Sequence, residues 1–365
     1  MISFLKRSKI LLNSTSKLCV ILGNESCDLD SVVSAIALAF FYSKIYPDQS
    51  GFIPILNIPR TSFPIKTEVT YFLGKYNITD ELLVFKDDTS NEFIKKSSVI
   101  LVDHHVSPYR DSVIEVFDHR PVDSSAELPI ASKKIIEQVG SCATLIADLI
   151  LRSRGLNDEF KLTLQLLYGA IVMDTVNFSP EACRKTELDS EIAAKIENFV
   201  GISDPGHHRE NVFAELVKAR EDIKSLTPYQ LLHKDMKLIS NSDGSIRVAI
   251  PGYPILVQEF IKKPDAKHAI EMFAKEYNSS SIVLIGMKIT NGSDVIRDIG
   301  LININNDGLF EEILDKIKIH DKPNLQLQEI ENTNFLCGRF FKQENIRATR
   351  KQILPIVKKI LDEKY

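Results

Sequence analysis

LCVILGNESCDLDSVVSAIALAFFYSKIY, residues 18–46, combines three patterns in one stretch. Leu18–Leu22 is a short β-rich run that stops at Gly23. A polar loop follows and carries Asp28 and Asp30, and from Ser31 the chain becomes an apolar helix. A strand, a polar loop and a crossover helix form the opening unit of a parallel α/β sheet. In such sheets, ligands gather beyond the carboxyl ends of the strands. Two carboxylates at i and i+2 in that loop can point at two neighbouring cations, or Asp30 or Ser31 can simply cap the helix. This stretch alone leaves the two readings even.

Farther along the chain, apolar runs appear at Phe52–Leu56, Leu82–Phe85, Val99–Val102 and Val113–Phe117, each succeeded by polar or turn residues. Runs of this kind suit strands buried on both faces. Helical patterns occupy Cys142–Leu151 and Leu162–Met173. The polar stretch GISDPGHHR (201–209) breaks the regularity and reads as the lead-in to a domain connection. Beyond Lys237, strand-like runs (Arg247–Ile250, Ile282–Met287, Ile299–Ile302) alternate with helical ones (Pro264–Tyr277, Leu309–Ile319, and from Ile353). The expected fold class is α/β. An N-terminal parallel-sheet domain spans 1–205, a connector 206–225, and a smaller C-terminal α/β domain 226–365, with the active site in the cleft between the domains.

The 365 residues carry 44% hydrophobic and 26% charged side chains, which excludes a disordered chain, a coiled coil and a collagen-like repeat. A net charge of −4 gives no global basic field, so nucleic acid is not an expected partner. The longest uncharged apolar stretch, Val32–Ser43, is too short for a bilayer, so no membrane association is expected. Five dispersed cysteines without a C-x-x-C pair read as reduced thiols, which points to the cytoplasm. The basic start (Lys6, Arg7, Lys9) leaves the mitochondrial matrix as a minor alternative.

The residues at the ends of the other strands decide how the aspartates are read. Val99–Val102 runs into Asp103-His104-His105, Val113–Phe117 into Asp118-His119-Arg120, and the helix ending at Met173 delivers Asp174. Aspartates and histidines are the donors of hydrolytic Mg²⁺, Mn²⁺ or Co²⁺ centres. Several at one sheet edge favour a dinuclear site over unrelated turn residues. No P-loop and no G-x-G-x-x-G fingerprint is present.

GNESCDLDS (23–31), LVDHH (101–105), VFDHR (116–120), GSCATLI (140–146) and GAIVMDTVNF (169–178) together resemble the DHH phosphoesterase superfamily. IRATRKQILP (346–355) resembles the phosphate-binding segment of the second domain in one branch. Within the superfamily the chain looks like the fungal cytosolic exopolyphosphatases, relatives of family II inorganic pyrophosphatases and of prune proteins. The resemblance implies release of orthophosphate from the ends of inorganic polyphosphate, or of another small phosphoanhydride, with two divalent cations (Mg²⁺ or Mn²⁺, with Co²⁺ also possible); a monomer is expected, although the sequence does not determine the oligomeric state. The resemblance also implies metal ligation by Asp28, Asp30, Asp103, His119 and Asp174, and catalysis by Asp103, His119 and Arg120. Substrate contacts fall to Asn24, His104, Arg120, Lys237, Arg350 and Lys351. Arg339 and Arg347 extend the cationic track, and Arg60 and Lys66 are candidates for a polyanion channel.

Asp103-His104-His105 spells the family motif literally, yet the order of motifs assigns it to the second position and Asp118-His119-Arg120 to the third. Arg120 then stands where the family has a second histidine, and arginine can neither accept a proton nor ligate a metal. Asn24 stands where pyrophosphatases have a histidine, which favours a polyphosphatase. The alternatives are a pyrophosphatase, a prune-like phosphohydrolase or phosphodiesterase, and a catalytically weakened polyphosphate-binding protein.

Overall fold

A computed structural model describes residues 1–14, 18–48, 51–123, 126–289, 295–322, 324–331 and 333–365. The chain forms two compact units, Met1–Asp222 and Ile223–Tyr365.

The first unit is built on six strands: β1 (Cys19–Leu22), β2 (Phe52–Leu56), β3 (Val84–Phe85), β4 (Ser98–Val102), β5 (Val113–Asp118) and β6 (Lys133–Ile136). Their order is β3-β2-β1-β4-β5-β6, and every neighbouring pair is parallel. Alternate side chains enter two separate cores, as a period of two requires. Cys19, Ile21, Ile100, Val102 and Phe117 pack with the helices Leu29–Ile45, Cys142–Leu151 and Lys161–Asp174. Val20, Leu22, Val99, Leu101 and Val116 meet Ile94 and Tyr109 on the other face. Both faces are covered, so the strands read as continuous apolar runs. The helix Leu29–Ile45 is buried from Leu29 to Tyr42, which explains its nearly unbroken apolar sequence.

Strand order reverses between β1 and β4, and the loops that leave β1, β4 and β5 lie side by side at the carboxyl edge. The lysines and the partial exposure of β6 hid it from the sequence pattern. β3 is only two residues long because a 3₁₀ turn takes Asp80–Leu82. The stretch 206–225 is mostly taken up by the helix Pro205–Glu221. Asp204 caps it, Val212 and Leu216 are buried, and it packs on the helices Thr67–Lys75 and Lys161–Asp174 of the first unit. No helix among the described residues is long and apolar enough to cross a membrane.

The second unit holds β7 (Asp235–Ser240), β8 (Arg247–Tyr253), β9 (Ser281–Ile289), β10 (Val295–Asn303), β11 (Leu327–Glu329) and β12 (Arg339–Gln343), in the order β11-β12-β10-β9-β8-β7. Of these neighbours, β8 and β9 pair in parallel and the rest are antiparallel. Val248, Val283, Ile299 and Leu301 pack against the helices Asp307–Ile319 and Arg350–Lys364.

Candidate metal centre

The polar loop after β1 is organised before any ligand is considered. Asn24 is buried, and its Oδ1 accepts from Ser26 N, Ser26 Oγ and Cys27 N. Its Nδ2 donates to Asp103 Oδ2 (2.6 Å) and to the Asp103 carbonyl (3.2 Å). Ser31 Oγ accepts from Asn24 N, and a Cβ on Gly23 would fall 2.3 Å from that same oxygen. Only glycine lets the strand end pass so close to the helix start.

Asp28 is the N-cap of the helix Leu29–Ile45, its Oδ1 accepting from Ser31 N, and it also lines a cavity at the sheet edge. The cap is thus Asp28 rather than Asp30 or Ser31, and the capping residue also stands on the cavity wall. Asp30 is buried, and its carboxylate receives Cys142 N (2.7 Å) and Ala143 N (2.8 Å), the first N–H groups of the helix Cys142–Leu151. The anion at the start of that helix is thus a side chain of the protein itself.

Asp103 takes a left-handed backbone (φ 62°) directly after β4, and its N–H donates to the Phe117 carbonyl. That turn directs a buried carboxylate to the sheet edge, a conformation aspartate tolerates better than most residues. Asp103 Oδ1 lies 3.2 Å from His119 Nε2 and 3.3 Å from an Arg120 guanidinium nitrogen. His119 Nδ1 donates to the Val139 carbonyl at 3.0 Å, which leaves Nε2 to face the carboxylates. One donor atom each from Asp30, Asp103 and His119 lies within 4.8 Å of the others. Together with Asp28, Arg120, Val139, Gly140, Asp174 and Arg184 they line the cavity, of about 370 Å³.

Charge is crowded here. Burial, reinforced by Asp30, pushes the Asp103 carboxyl up to about 7. Burial also raises Asp30 against the pull of His119, and raises Asp174, where Asp30 and Asp28 add to the effect. Burial works against a charged His119, yet its bond to Asp103 and the field of Asp30 raise it to about 9. Oxygen donors with more negative charge than their neighbours offset are a fitting environment for divalent cations.

Other residues singled out from sequence lie elsewhere. Asn24 and His104 do not line this cavity: Asn24 bonds within its loop and to Asp103, and His104 Nδ1 bonds the Val102 carbonyl. His105 is a brace. Its Nδ1 bonds Asp118 Oδ2 and its Nε2 accepts from Asp123 N, while Asp118 Oδ1 receives the N–H groups of His119 and Arg120. Arg350 and Lys351 line a cavity of about 400 Å³ in the second unit, with Arg350 paired to Asp235 at 2.6 Å. Lys237 is on β7 and outside that lining. Arg60 is held by Asp88 and the Asp80 and Leu83 carbonyls over the Phe85 ring, and Arg339 pairs with Glu329. The sequence reading missed Arg184, since nothing in RKTE marks it out from surface charge.

Comparison with known proteins gives the family of the chain. Residues 18–171 match the DHH family N-terminal domain, and 214–360 match the DHHA2 domain. The chain is 30% identical over 366 residues to exopolyphosphatase PRUNE1 of Rattus norvegicus, covering 98% of this chain and 78% of that one. It is 30% identical over 229 residues to a manganese-dependent inorganic pyrophosphatase of Methanocaldococcus jannaschii, covering 60% and 66%. A crystal structure of a candidate family II inorganic pyrophosphatase from Methanococcus jannaschii aligns over 94% of this chain and 98% of that one, with a TM-score of 0.47 and 22% identity. With DHH and DHHA2 domains in that order and a relative matched at 30% identity over nearly all of this chain, the protein belongs to the DHH phosphoesterase family, in its prune and exopolyphosphatase branch.

Proposed function

We propose that this chain is a metal-dependent hydrolase of phosphoanhydrides that releases orthophosphate from the ends of inorganic polyphosphate. The observation that carries the reading is the convergence of Asp30, Asp103 and His119 within 4.8 Å, in a cavity that Asp28, Asp174 and two arginines also line. PRUNE1 is named an exopolyphosphatase and the archaeal relative a manganese-dependent pyrophosphatase, which supports the substrate class and the use of a divalent ion. Asn24 at the position of a pyrophosphatase histidine favours polyphosphate as the substrate.

Asp28, Asp30, Asp103, His119 and Asp174 are the proposed ligands of two divalent cations, Mn²⁺ or Mg²⁺. Bound there, such ions supply Lewis-acid charge toward a phosphoryl group and lower the pKa of water. The protein's own groups set the geometry. Asn24 fixes one oxygen of Asp103 and leaves Oδ1 for the cavity, and the Val139 carbonyl fixes the His119 tautomer. Arg120 offers a guanidinium to the anionic substrate, a contact that strengthens as charge builds on the phosphoryl oxygens. Arg350 and Lys351 are the proposed phosphate contacts of the second unit, with Lys237 as a further cation. The domain limits 1–205, 206–225 and 226–365 remain part of the proposal. So do a cytoplasmic location, in keeping with five free cysteines, and a monomeric state.

A second reading, a polyphosphate binder with weakened turnover, is favoured by the Arg120–Asp103 pair, because the guanidinium competes with a cation for Oδ1. Phosphate release from long-chain polyphosphate, pyrophosphate and a cyclic nucleotide, with Mn²⁺ or Mg²⁺, separates the readings. Release fastest from polyphosphate supports the first. Tight polyphosphate binding without release supports the second, and release from the cyclic nucleotide alone defeats both.

A further inference from the structure

Arg184 stands on the wall of the carboxylate-lined cavity, in the loop beyond Asp174. Its side chain is exposed and has no ion pair or hydrogen bond among the described residues. Arg120, the other guanidinium of that wall, is engaged with Asp103 at 3.3 Å. An unpaired arginine beside four aspartates calls for an explanation, since Asp103 already has His119 and Arg120 as partners.

The backbone that carries Arg184 is anchored at this edge. Asp189 is fully buried, and its Oδ2 accepts from Gly140 N (2.8 Å), Thr186 N (2.7 Å) and Thr186 Oγ1 (2.8 Å). Its Oδ1 accepts from Thr144 Oγ1 at 2.6 Å. One carboxylate thus ties the chain just after Arg184 to the loop and helix whose N–H groups hold Asp30. The approach is close: a Cβ on Gly140 would fall 2.8 Å from the Arg184 carbonyl oxygen and 2.9 Å from Asp189 Oδ2. Holding a backbone this tightly limits how far the side chain can wander and lowers the ordering cost of a contact it makes.

We infer that Arg184 is a substrate-binding residue that takes a phosphate group of the phosphoanhydride, and that Asp189 is the positioning residue which sets its segment in place. The inference rests on the proposed hydrolase activity. Two divalent cations would balance the four aspartates of the cavity, and the guanidiniums of Arg120 and Arg184 are the arginine groups of its lining left for an anion. Arg184 gives up no partner to bind, whereas Arg120 must share Asp103. A planar guanidinium suits a phosphate's paired oxygens.

The test uses the full chain and three variants, Arg184→Ala, Arg184→Lys and Asp189→Asn. Mn²⁺ affinity, melting temperature, the Kd for the non-hydrolysable probe imidodiphosphate, and KM and kcat on tripolyphosphate are measured for each. Arg184→Ala should raise Kd and KM roughly tenfold to a hundredfold, the range for a lost charge-assisted hydrogen bond. Mn²⁺ affinity and melting temperature should match wild type, and Arg184→Lys should recover part of the loss. Asp189→Asn should raise KM by a smaller factor, with kcat changed less. If wild type hydrolyses tripolyphosphate and Arg184→Ala keeps its KM and Kd, the inference is overturned and the hydrolase reading stands. If wild type binds imidodiphosphate without hydrolysing anything and Arg184→Ala weakens that binding, the hydrolase reading falls and Arg184 keeps its role. A loss of Mn²⁺ affinity in Arg184→Ala equal to its loss of substrate affinity overturns the inference in favour of a structural role.

Discussion

Asn24 Nδ2 donates to Asp103 Oδ2 at 2.6 Å, so the loop after β1 and the turn after β4 are joined through a single amide. The bond holds one carboxylate oxygen and leaves the other facing His119. It also makes Asn24 a structural organiser of the centre, which a substrate-contact role does not require.

Asn24→Ala should therefore lower stability and metal affinity together. The variant strands Asp103 Oδ2 and the N–H groups of Ser26 and Cys27, each a polar group in a buried or half-buried place. A cost of about 1–3 kcal/mol fits an unsatisfied buried group. Thermal unfolding and a Mn²⁺ titration check it, and an unchanged melting temperature would show that the amide bond has no weight.

Asp103→Asn acts in the opposite sense on stability. The wild-type carboxyl is raised to about 7 by burial and by Asp30, so at neutral pH its charge opposes folding in the metal-free protein. The metal-free variant should melt no lower than wild type. Mn²⁺ binding and phosphate release should each fall more than roughly tenfold, the usual scale for a disturbed ligand. Retention of most of the wild-type turnover would remove Asp103 from the ligand set.

His119→Ala and His105→Ala separate a ligand from a brace. The first should cost about ten- to hundredfold in Mn²⁺ affinity. The second removes the link between Asp118 and Asp123 and should act mainly through stability, with near-normal affinity in the folded fraction. Should His105→Ala prove the worse in a matched titration, residues 103–105 are the third motif and the assignment is reversed.

Arg120→Ala should raise Mn²⁺ affinity while lowering kcat/KM for polyphosphate, because the guanidinium both competes for Asp103 Oδ1 and offers charge to the substrate. Arg120→His should retain or increase turnover. Equal kinetics in wild type and both variants would place Arg120 outside the reaction.

Metal affinity should climb with pH. In the metal-free protein His119 is raised to about 9, so below that pH a cation must displace its proton, and apparent affinity should gain about tenfold per pH unit. Below about pH 7 the Asp103 proton adds to the slope. Mn²⁺ titrations from mildly acidic to mildly alkaline pH, with proton release monitored in weak buffer, read this directly. Binding just below the His119 pKa without proton release would exclude that residue as a ligand.

The strands β1, β2, β4 and β5 and the helix Cys142–Leu151 were legible from the sequence, because a strand covered on both faces and a buried helix must both be apolar nearly throughout. The strand-end aspartates stood out only as a set: one alone reads as a turn or capping residue, and several after neighbouring strands fall at one sheet edge. Edge elements escaped. β6 is half lysine, and β11 is three mostly polar residues, so neither carries a periodic burial signal.

The direction of each polar side chain was settled only by the folded chain. Asp103, His104 and His105 are consecutive, yet one faces the cavity, one bonds the carbonyl of Val102, and one turns back to Asp118. The left-handed turn at Asp103 produces that divergence, and no local pattern announces it. Arg184 was invisible for the same reason. Its segment is brought to the aspartates by hydrogen bonds to Asp189, in the first turn of the helix Glu187–Val200, from the loop residue Gly140, the helix residue Thr144 and the capping residue Thr186. Such partners are chosen by folding distant segments together, after composition and periodicity have had their say.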